Sequence, residues 1–405
     1  MRVTEIETIR LERQPNLLWC RLHTDSGLVG LGETFYGPEA AEAHIHRIIA
    51  PYLIGKDPRQ VERHQAHLTG YVGYVGSSAE IRGRSAVDIA CWDLLGQAAN
   101  LPLCDLWGGR VREDIRAYNT CAGYSYVQTR AVQGTENFGL ADGLSNGAGP
   151  YEDLKGFLER PVEVAESLLE MGITAMKIWP FDYAAEASQG QAITPAELKQ
   201  GLAPFEKIRA ALGDRMDLMA ELHGLWNRPT AIQIARALEP LAPLWVEDPV
   251  VMDHLASLGE VARATRCPIA TGETRGTRAD FRAMLELEAL STLILDLSWC
   301  GGISEARKVA AMAEAWHVPV AFHDCTGPVV LAVSTHLALH ARNCFIQEMV
   351  RAFYYGWYSE LVTALPPVSR GRITVAEGPG LGLALNADVL KRADARVRRT
   401  TAADV

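Results

Sequence analysis

No stretch of the 405-residue sequence approaches the roughly eighteen consecutive apolar residues of a membrane-spanning helix. The opening "MRVTEIETIRLERQ" also lacks the apolar centre of a secretory signal. Together these absences set the expectation of a cytoplasmic protein with no membrane partner. Runs of lysine and arginine are missing too, and the formal net charge is -10. Such a balance argues against a nucleic-acid partner, while a local basic pocket could still hold a small acid. No two cysteines fall in a CxxC spacing. The eight that are present include several inside apolar runs and are expected to be reduced core thiols.

What is present describes an ordinary globular chain, 48% hydrophobic and 22% charged, long enough for two or three domains. The first part is mixed in style. "LLWCRLHTDSGLVGLGET" alternates like a β-hairpin around an Asp-Ser-Gly turn, and helical patterns such as "SAVDIACWDLLGQAANL" follow. From Ile115 the pattern turns repetitive. The apolar runs "DIRAYNT", "TAMKIW", "MDLMAEL", "PLWVED", "PIATGE", "TLILDL", "PVAFHD" and "CFIQEM" alternate with amphipathic helical segments. Strand alternating with helix means parallel strands and right-handed crossovers, and eight such strands fit a closed barrel better than an open sheet. The expected division is an α+β capping domain over residues 1–114, a barrel over 115–365, and a tail over 366–405 that packs back on the cap. A Gly-rich insertion at 128–155 between the first two barrel strands reads equally as a substrate-covering loop or as disorder. The "GPGLG" of the tail lacks the strand-then-helix setting of a nucleotide loop.

In such barrels the groups at the carboxyl ends of strands converge on one pocket. Read in order, those ends carry Lys177, Glu221 with His223, Glu247, Glu273, Asp296, His323 and Glu348. Within "DLMAELHG", Glu221 and His223 stand two apart, so an extended strand would aim both at the same wall. Glu221, Glu247 and Glu273 follow one another at 26-residue spacing, one strand–helix unit each. Three converging carboxylates need a compensating cation, and an oxygen-only donor set selects a hard one, with Mg²⁺ fitting best. Asp296 and His323 sit on adjacent strands, where a carboxylate beside an imidazole fixes its tautomer and raises its basicity. His223 is placed across the cavity from that pair, so protons could be moved at two faces of one small molecule.

These residues, with "TDSGLVGLGE", "GGISEARKVAAMAEA", "WVEDP", "GETRGTR" and the final "QE", resemble the enolase superfamily in its mandelate racemase-like branch, over essentially the whole chain. The resemblance implies a modified (β/α)7β barrel closed by an N-terminal α+β cap that the C-terminal tail completes. It also implies Mg²⁺-assisted removal of the proton α to a carboxylate, through an enediolate. Carried over, Glu221, Glu247 and Glu273 match the metal ligands, and His323 with Asp296 matches the base dyad. Glu348 matches the acid beside the substrate carboxylate, and Lys177 the first lysine of a K-x-K motif. The chain departs at Trp179, which stands where racemases and cycloisomerases carry the second lysine; an indole accepts no proton. The E-L-H arrangement is instead similar to acid sugar dehydratases of the galactonate type, whose histidine there serves the leaving hydroxyl.

The expected activity is therefore hydro-lyase removal of water from an aldonate or aldarate, giving a 2-keto-3-deoxy acid. The alternatives are a racemase, epimerase or sugar-acid lactone cycloisomerase on the same scaffold, a non-catalytic enolase-like binding protein, and, more distantly, a metal-dependent hydrolase barrel. Trp179, Trp226, Trp299 and Arg278 are candidate substrate contacts, with packing or a structural ion pair as the equal reading. His336 and His340 have the i, i+4 spacing of a helical zinc site, but Leu337 stands where such a site carries glutamate, so helix surface or core is expected. His44, His46, His64 and His67 read as solvated cap residues. The family resemblance further implies an even-numbered homo-oligomer.

Overall fold

The computed structural model describes residues 1–69, 78–128 and 149–405. Most of the 128–155 insertion and of the "YVGYVGSS" segment therefore lies outside the described residues.

The cap is a four-stranded antiparallel sheet in the order β14-β1-β2-β3, built from β1 (Val3–Leu11), β2 (Gln14–Thr24), β3 (Val29–Phe35) and the tail strand β14 (Ala395–Thr401). β14 pairs with β1 along its length, so the end of the chain adds the fourth strand to a sheet begun at its start. The helix Ala79–Ala99 lies directly on β3. The glycines of "GLVGLGE" make this approach possible: a Cβ at Gly30 or Gly32 would stand 2.2 Å from the Ala90 carbonyl oxygen or 1.8 Å from that of Ala86.

The barrel strands are β4 (Ile115–Thr120), β5 (Ala175–Ile178), β6 (Asp217–Glu221), β7 (Trp245–Glu247), β8 (Ile269–Thr271), β9 (Thr292–Leu295), β10 (Val320–Phe322) and β11 (Cys344–Met349). Each pairs in parallel with its sequence neighbour, and β11 pairs with β4 to close the ring. A short hairpin, β12 (Val368–Ser369) with β13 (Arg372–Ile373), joins β4 from outside. The interior holds a ring with one side chain from every barrel strand: Tyr118, Ala175, Met219, Trp245, Ala270, Ile294, Ala321 and Ile346. All eight are buried, so this layer is a packed floor rather than a channel.

Cap and barrel are joined through helix N-termini, whose backbone N–H groups need acceptors. Asp88 of the cap helix accepts from Ser304 N at 2.9 Å and Ser304 Oγ at 2.6 Å, at the start of the helix Ile303–Ala315. Glu33 of β3 accepts from Val330 N at 2.9 Å at the start of Pro328–His340, and from Trp19 Nε1 at 2.7 Å. Burial pushes the Glu33 carboxyl up to about 8, against the pull of those donors.

Two histidine expectations need correcting. His46 and His64 are buried rather than solvated: His46 bonds Thr8 and Thr400 at 2.8 Å each, and His64 bonds Tyr52 at 3.0 Å. His336 is a core residue, its Nδ1 3.4 Å from Cys104 N and its Nε2 3.3 Å from the Leu381 carbonyl. Accepting at one nitrogen and donating at the other, it is satisfied as a neutral ring, and burial pushes it down to about 4. An unfolded histidine titrates near 6.5, so between those values the folded chain binds fewer protons and stability rises with pH. His336 should therefore cost on the order of 3 kcal/mol of stability as pH falls through that window. Urea melts at both ends of the window should show the parent losing ground relative to His336→Gln. A parent–variant difference that does not change with pH would refute the neutral buried ring.

Candidate active site

Because strand side chains alternate, residues two past the floor point into the same interior, one layer nearer the carboxyl ends. Two past Tyr118, Ala175, Met219, Trp245, Ile294, Ala321 and Ile346 stand Thr120, Lys177, Glu221, Glu247, Asp296, His323 and Glu348. The reactive layer is thus the floor layer advanced by one pleat. The eighth strand of the set, β8, departs. Gly272 is two past Ala270, and its φ of 127° and a Cβ position 2.6 Å from the Ile294 carbonyl exclude a side chain there. Glu273 is one residue further, delivered by that glycine turn. Its 26-residue spacing from Glu247 is therefore not a strand register, since Glu247 pairs with Glu221 on one side and Ala270 on the other.

The carboxylates of Glu221, Glu247 and Glu273 offer oxygens that all lie within 4.8 Å of one another, and all three side chains are buried. The donor set fits a hard divalent cation: three carboxylates, no sulfur and no imidazole. Lys177 Nζ stands 2.9 Å from Glu247, 3.1 Å from Glu348 and 3.2 Å from Glu221, and acts on Glu273 from further off. Burial alone would lower the lysine, yet Glu247 and Glu348 hold its proton affinity well above the ordinary range. Glu221 is likewise pulled down by Lys177 and His223 against its burial, and accepts from His223 N at 2.7 Å. Burial and crowding by like charges push Glu247 well above its usual value and raise Glu273. One lysine does not neutralise this cluster, and a dication is the charge it lacks.

His323 Nδ1 lies 2.7 Å from Asp296 Oδ2, and its Nε2 is 3.5 Å from Glu273. Asp296 is itself fixed by Ser298, which donates from N at 2.6 Å and Oγ at 2.5 Å. Burial would lower His323, but Glu273, Glu348 and Asp296 together drive it well above its ordinary value. Glu348 accepts from Asp324 N at 3.0 Å and from Thr120 Oγ1.

His223 reaches the cavity differently from the strand reading. β6 ends at Glu221, and the backbone turns at His223 with φ 50°, a left-handed conformation that histidine tolerates better than most residues. Alternation along the strand is not what places it. Its Nδ1 sits 2.7 Å from Asp182 Oδ2, a buried carboxylate at the head of the helix Asp182–Ser188. Burial works against the imidazolium, yet Asp182 and Glu221 push His223 up to about 9.

Of these groups Thr120, Lys177, Asp182, Glu221, His223, Glu273, His323 and Glu348 line a cavity of about 450 Å³, with Phe35, Tyr36 and Arg82 of the cap and Trp179, Asp248, Trp299 and Cys325 of the barrel. Trp179 packs its edge against His223, ring centres 5.6 Å apart, and Trp299 lies 5.2 Å from the His323 ring. Two of the four candidate substrate contacts fall elsewhere. Trp226 is buried in the barrel–helix core and does not line the cavity, because the turn after His223 carries it behind the wall. Arg278 is also outside, bonded through N at 3.1 Å and Nε at 3.0 Å to Glu305 of the following helix. Sequence reasoning missed Asp182, Asp248, Thr120 and Arg82. Thr120 obeys the floor-plus-two rule and could have been found by it. Asp248 stood in the quoted "VED", while Asp182 and Arg82 carry no periodic signal.

The chain is similar to known proteins over most of its length. Residues 7–108 match the family described as "Mandelate racemase / muconate lactonizing enzyme, N-terminal domain", and residues 160–389 match "Enolase C-terminal domain-like". Among curated relatives, the D-galactonate dehydratase of Variovorax paradoxus is 30% identical, over 95% of this chain and 92% of that one. The enzyme of the same name from Pectobacterium atrosepticum is 29% identical over 96% and 94%. Among solved structures, an enolase of the mandelate racemase subgroup from Agrobacterium tumefaciens is 48% identical with a TM-score of 0.88, covering both chains fully. An enolase protein from Sargasso Sea environmental sequencing is 41% identical, TM-score 0.86, over 99% of each. The chain belongs to the enolase superfamily, in its mandelate racemase-like branch.

Proposed function

We propose that the protein is an Mg²⁺-dependent dehydratase that removes water from an acid sugar to give a 2-keto-3-deoxy acid. The observation that carries this reading is a pair of imidazoles, each with a buried carboxylate at Nδ1, lining one cavity with Glu221 and Glu273 of the three-glutamate cluster. The relatives named D-galactonate dehydratase support the same class.

Glu221, Glu247 and Glu273 are the residues that would hold the metal. Bound there, a dication supplies positive charge beside the substrate carboxylate and the field that drives His323 toward the neutral form a base requires. The substrate carboxylate lies against Lys177 and Glu348. His323 Nε2 takes the proton from the carbon α to that carboxylate, while Asp296 holds Nδ1 and steadies the imidazolium that forms. The pair of electrons released moves onto the carboxylate oxygens, where the Lys177 ammonium faces it and Glu348 holds that ammonium in place. His223, already protonated near neutral pH, gives its proton to the β-hydroxyl as the C–O bond breaks, and water leaves. The enol left behind takes up a proton at the β-carbon and releases the one on its hydroxyl, becoming the keto acid. Racemisation would need a second base on the opposite face. Trp179, which stands where the second lysine would be, cannot serve.

The test is a panel of aldonic and aldaric acids with the magnesium-loaded enzyme, α-keto acid being trapped with semicarbazide. Turnover of at least one acid sugar, lost on chelation with EDTA and regained with Mg²⁺, is the expected outcome. Deuterium exchange without keto acid across the whole panel would replace dehydration by epimerisation.

A further inference from the structure

We propose that Arg82 recognises a second carboxylate at the far end of the substrate, so that the acid sugar is a diacid, an aldarate, rather than an aldonate. This deepens the dehydratase reading and rests on it. Arg82 belongs to the first turn of the cap helix Ala79–Ala99, is half-buried, and lines the cavity opposite the barrel layer. Its Cζ lies 5.7 Å from the Trp299 ring, and among the described residues its Nη1 donates one long bond, 3.3 Å, to the Tyr36 carbonyl. Among the described residues no carboxylate comes within ion-pair distance of it.

Every described acid that lines the cavity is on the barrel and already engaged. Asp182 holds His223, Glu221 and Glu348 hold Lys177, Glu273 faces His323, and Asp248 accepts from Thr271 Oγ1. Among the described residues the cap contributes Phe35, Tyr36 and Arg82 to the lining, so its charge is a cation without a counter-charge. Burial already weakens the proton affinity of this guanidinium, and the charges of Asp296 and Tyr36 restore only part of it. A substrate that closes the cavity strips more water from it.

Trp299 sets the direction. The same indole lies 5.2 Å from the His323 ring and 5.7 Å from the Arg82 guanidinium, so it spans the space between base and cation. A chain with one carboxylate at Lys177 and its α-carbon at His323 runs along Trp299 toward Arg82. A planar guanidinium fork accepts a carboxylate through two parallel bonds. The terminal hydroxyl of an aldonate supplies no charge and would leave the guanidinium desolvated and unpaired. A phosphate would give charge too, but a lone fork matches the two oxygens of a carboxylate.

The experiment compares the parent, Arg82→Met and Arg82→Lys on hexaric acids, each matched with the hexonic acid of the same stereochemistry and its 6-phosphate, with Mg²⁺. The parent should prefer the diacid over the monoacid by about 100-fold in kcat/KM. Arg82→Met should lose at least about 30-fold more on the diacid than on its partner, chiefly in KM, and Arg82→Lys should recover part of that. Because the readout is a ratio within one variant, partial misfolding does not mimic it. A parent that prefers monoacid or phosphorylated acid, or equal losses on both members of a pair, overturns the proposal. If no pair yields keto acid, the dehydratase reading fails separately, and thermal shifts of the magnesium-loaded protein decide. Greater stabilisation by diacids in the parent but not in Arg82→Met sustains the role of Arg82, and equal shifts end it.

Discussion

His323→Asn should abolish both α-proton exchange and dehydration, with a fall of about 10³–10⁴-fold in kcat, the upper part of what one general base contributes. The size follows from how little else in the cavity can take that proton. Glu221, Glu348 and Lys177 are locked together, Asp296 lies behind the imidazole, and Trp179 has no basic atom to offer. His223 is held protonated by Asp182 and Glu221. Deuterium incorporation followed by NMR separates this loss from a defect in water elimination, because a missing base stops both. The three glutamates are untouched by the change, so Mg²⁺ should still raise the melting temperature of the variant, and that shift serves as the folding control. Asp296 is left with Ser298 as its donor, so some stability is also lost. A folded, metal-responsive His323→Asn enzyme that exchanges its substrate proton at the parental rate would remove the base from the mechanism and the mechanism with it.

What could be read from the sequence divides along physical lines. The barrel was legible because eight buried parallel strands produce apolar runs at regular intervals. The strand-end residues were legible because the two-residue alternation that packs the floor also aims the next layer. Glu221, Glu247, Lys177, Asp296, His323 and Glu348 all follow that rule. The rule stops where the strands stop. Glu273 depends on the positive φ of Gly272, and His223 on a turn of its own. Each arrives at the expected place by a route that strand alternation does not describe. Trp226 and Arg278 lie off the described lining of the cavity for the same reason, since side chains in strand–helix loops are aimed by local turns and not by a period. Arg82 was invisible for another: it comes from the cap, and the approach of cap to barrel is set by contacts such as Asp88–Ser304 and Glu33–Val330. No local pattern encodes pairs more than 200 residues apart.

The separation of proton removal from water loss gives the second large effect. His223→Asn should keep α-proton exchange while losing dehydration by about 10²–10⁴-fold, the range for one proton-transfer group. Here the geometry is selective. His223 is the cavity's second imidazole, on the β6 loop rather than on β10 with the base, and its ring is backed by Asp182 as His323 is backed by Asp296. Removing it leaves His323, Asp296 and the glutamate cluster in place, so the enediolate still forms and returns its proton. Leaving-group departure without an acid expels hydroxide, which is far slower. Asp182→Asn tests the arrangement from behind, as a positioning residue. Among the described residues its buried Oδ1 has no hydrogen-bond partner, so the carboxylate acts through the one oxygen at His223 Nδ1. An amide can present its oxygen there but carries no charge to hold the imidazolium. Dehydration should fall by at least about tenfold while exchange is largely retained. Packing damage alone would lower exchange and dehydration together. Measured side by side on one substrate, parallel losses in either variant would mean that His223 does not serve the leaving group, and the acid would have to be sought elsewhere in the cavity.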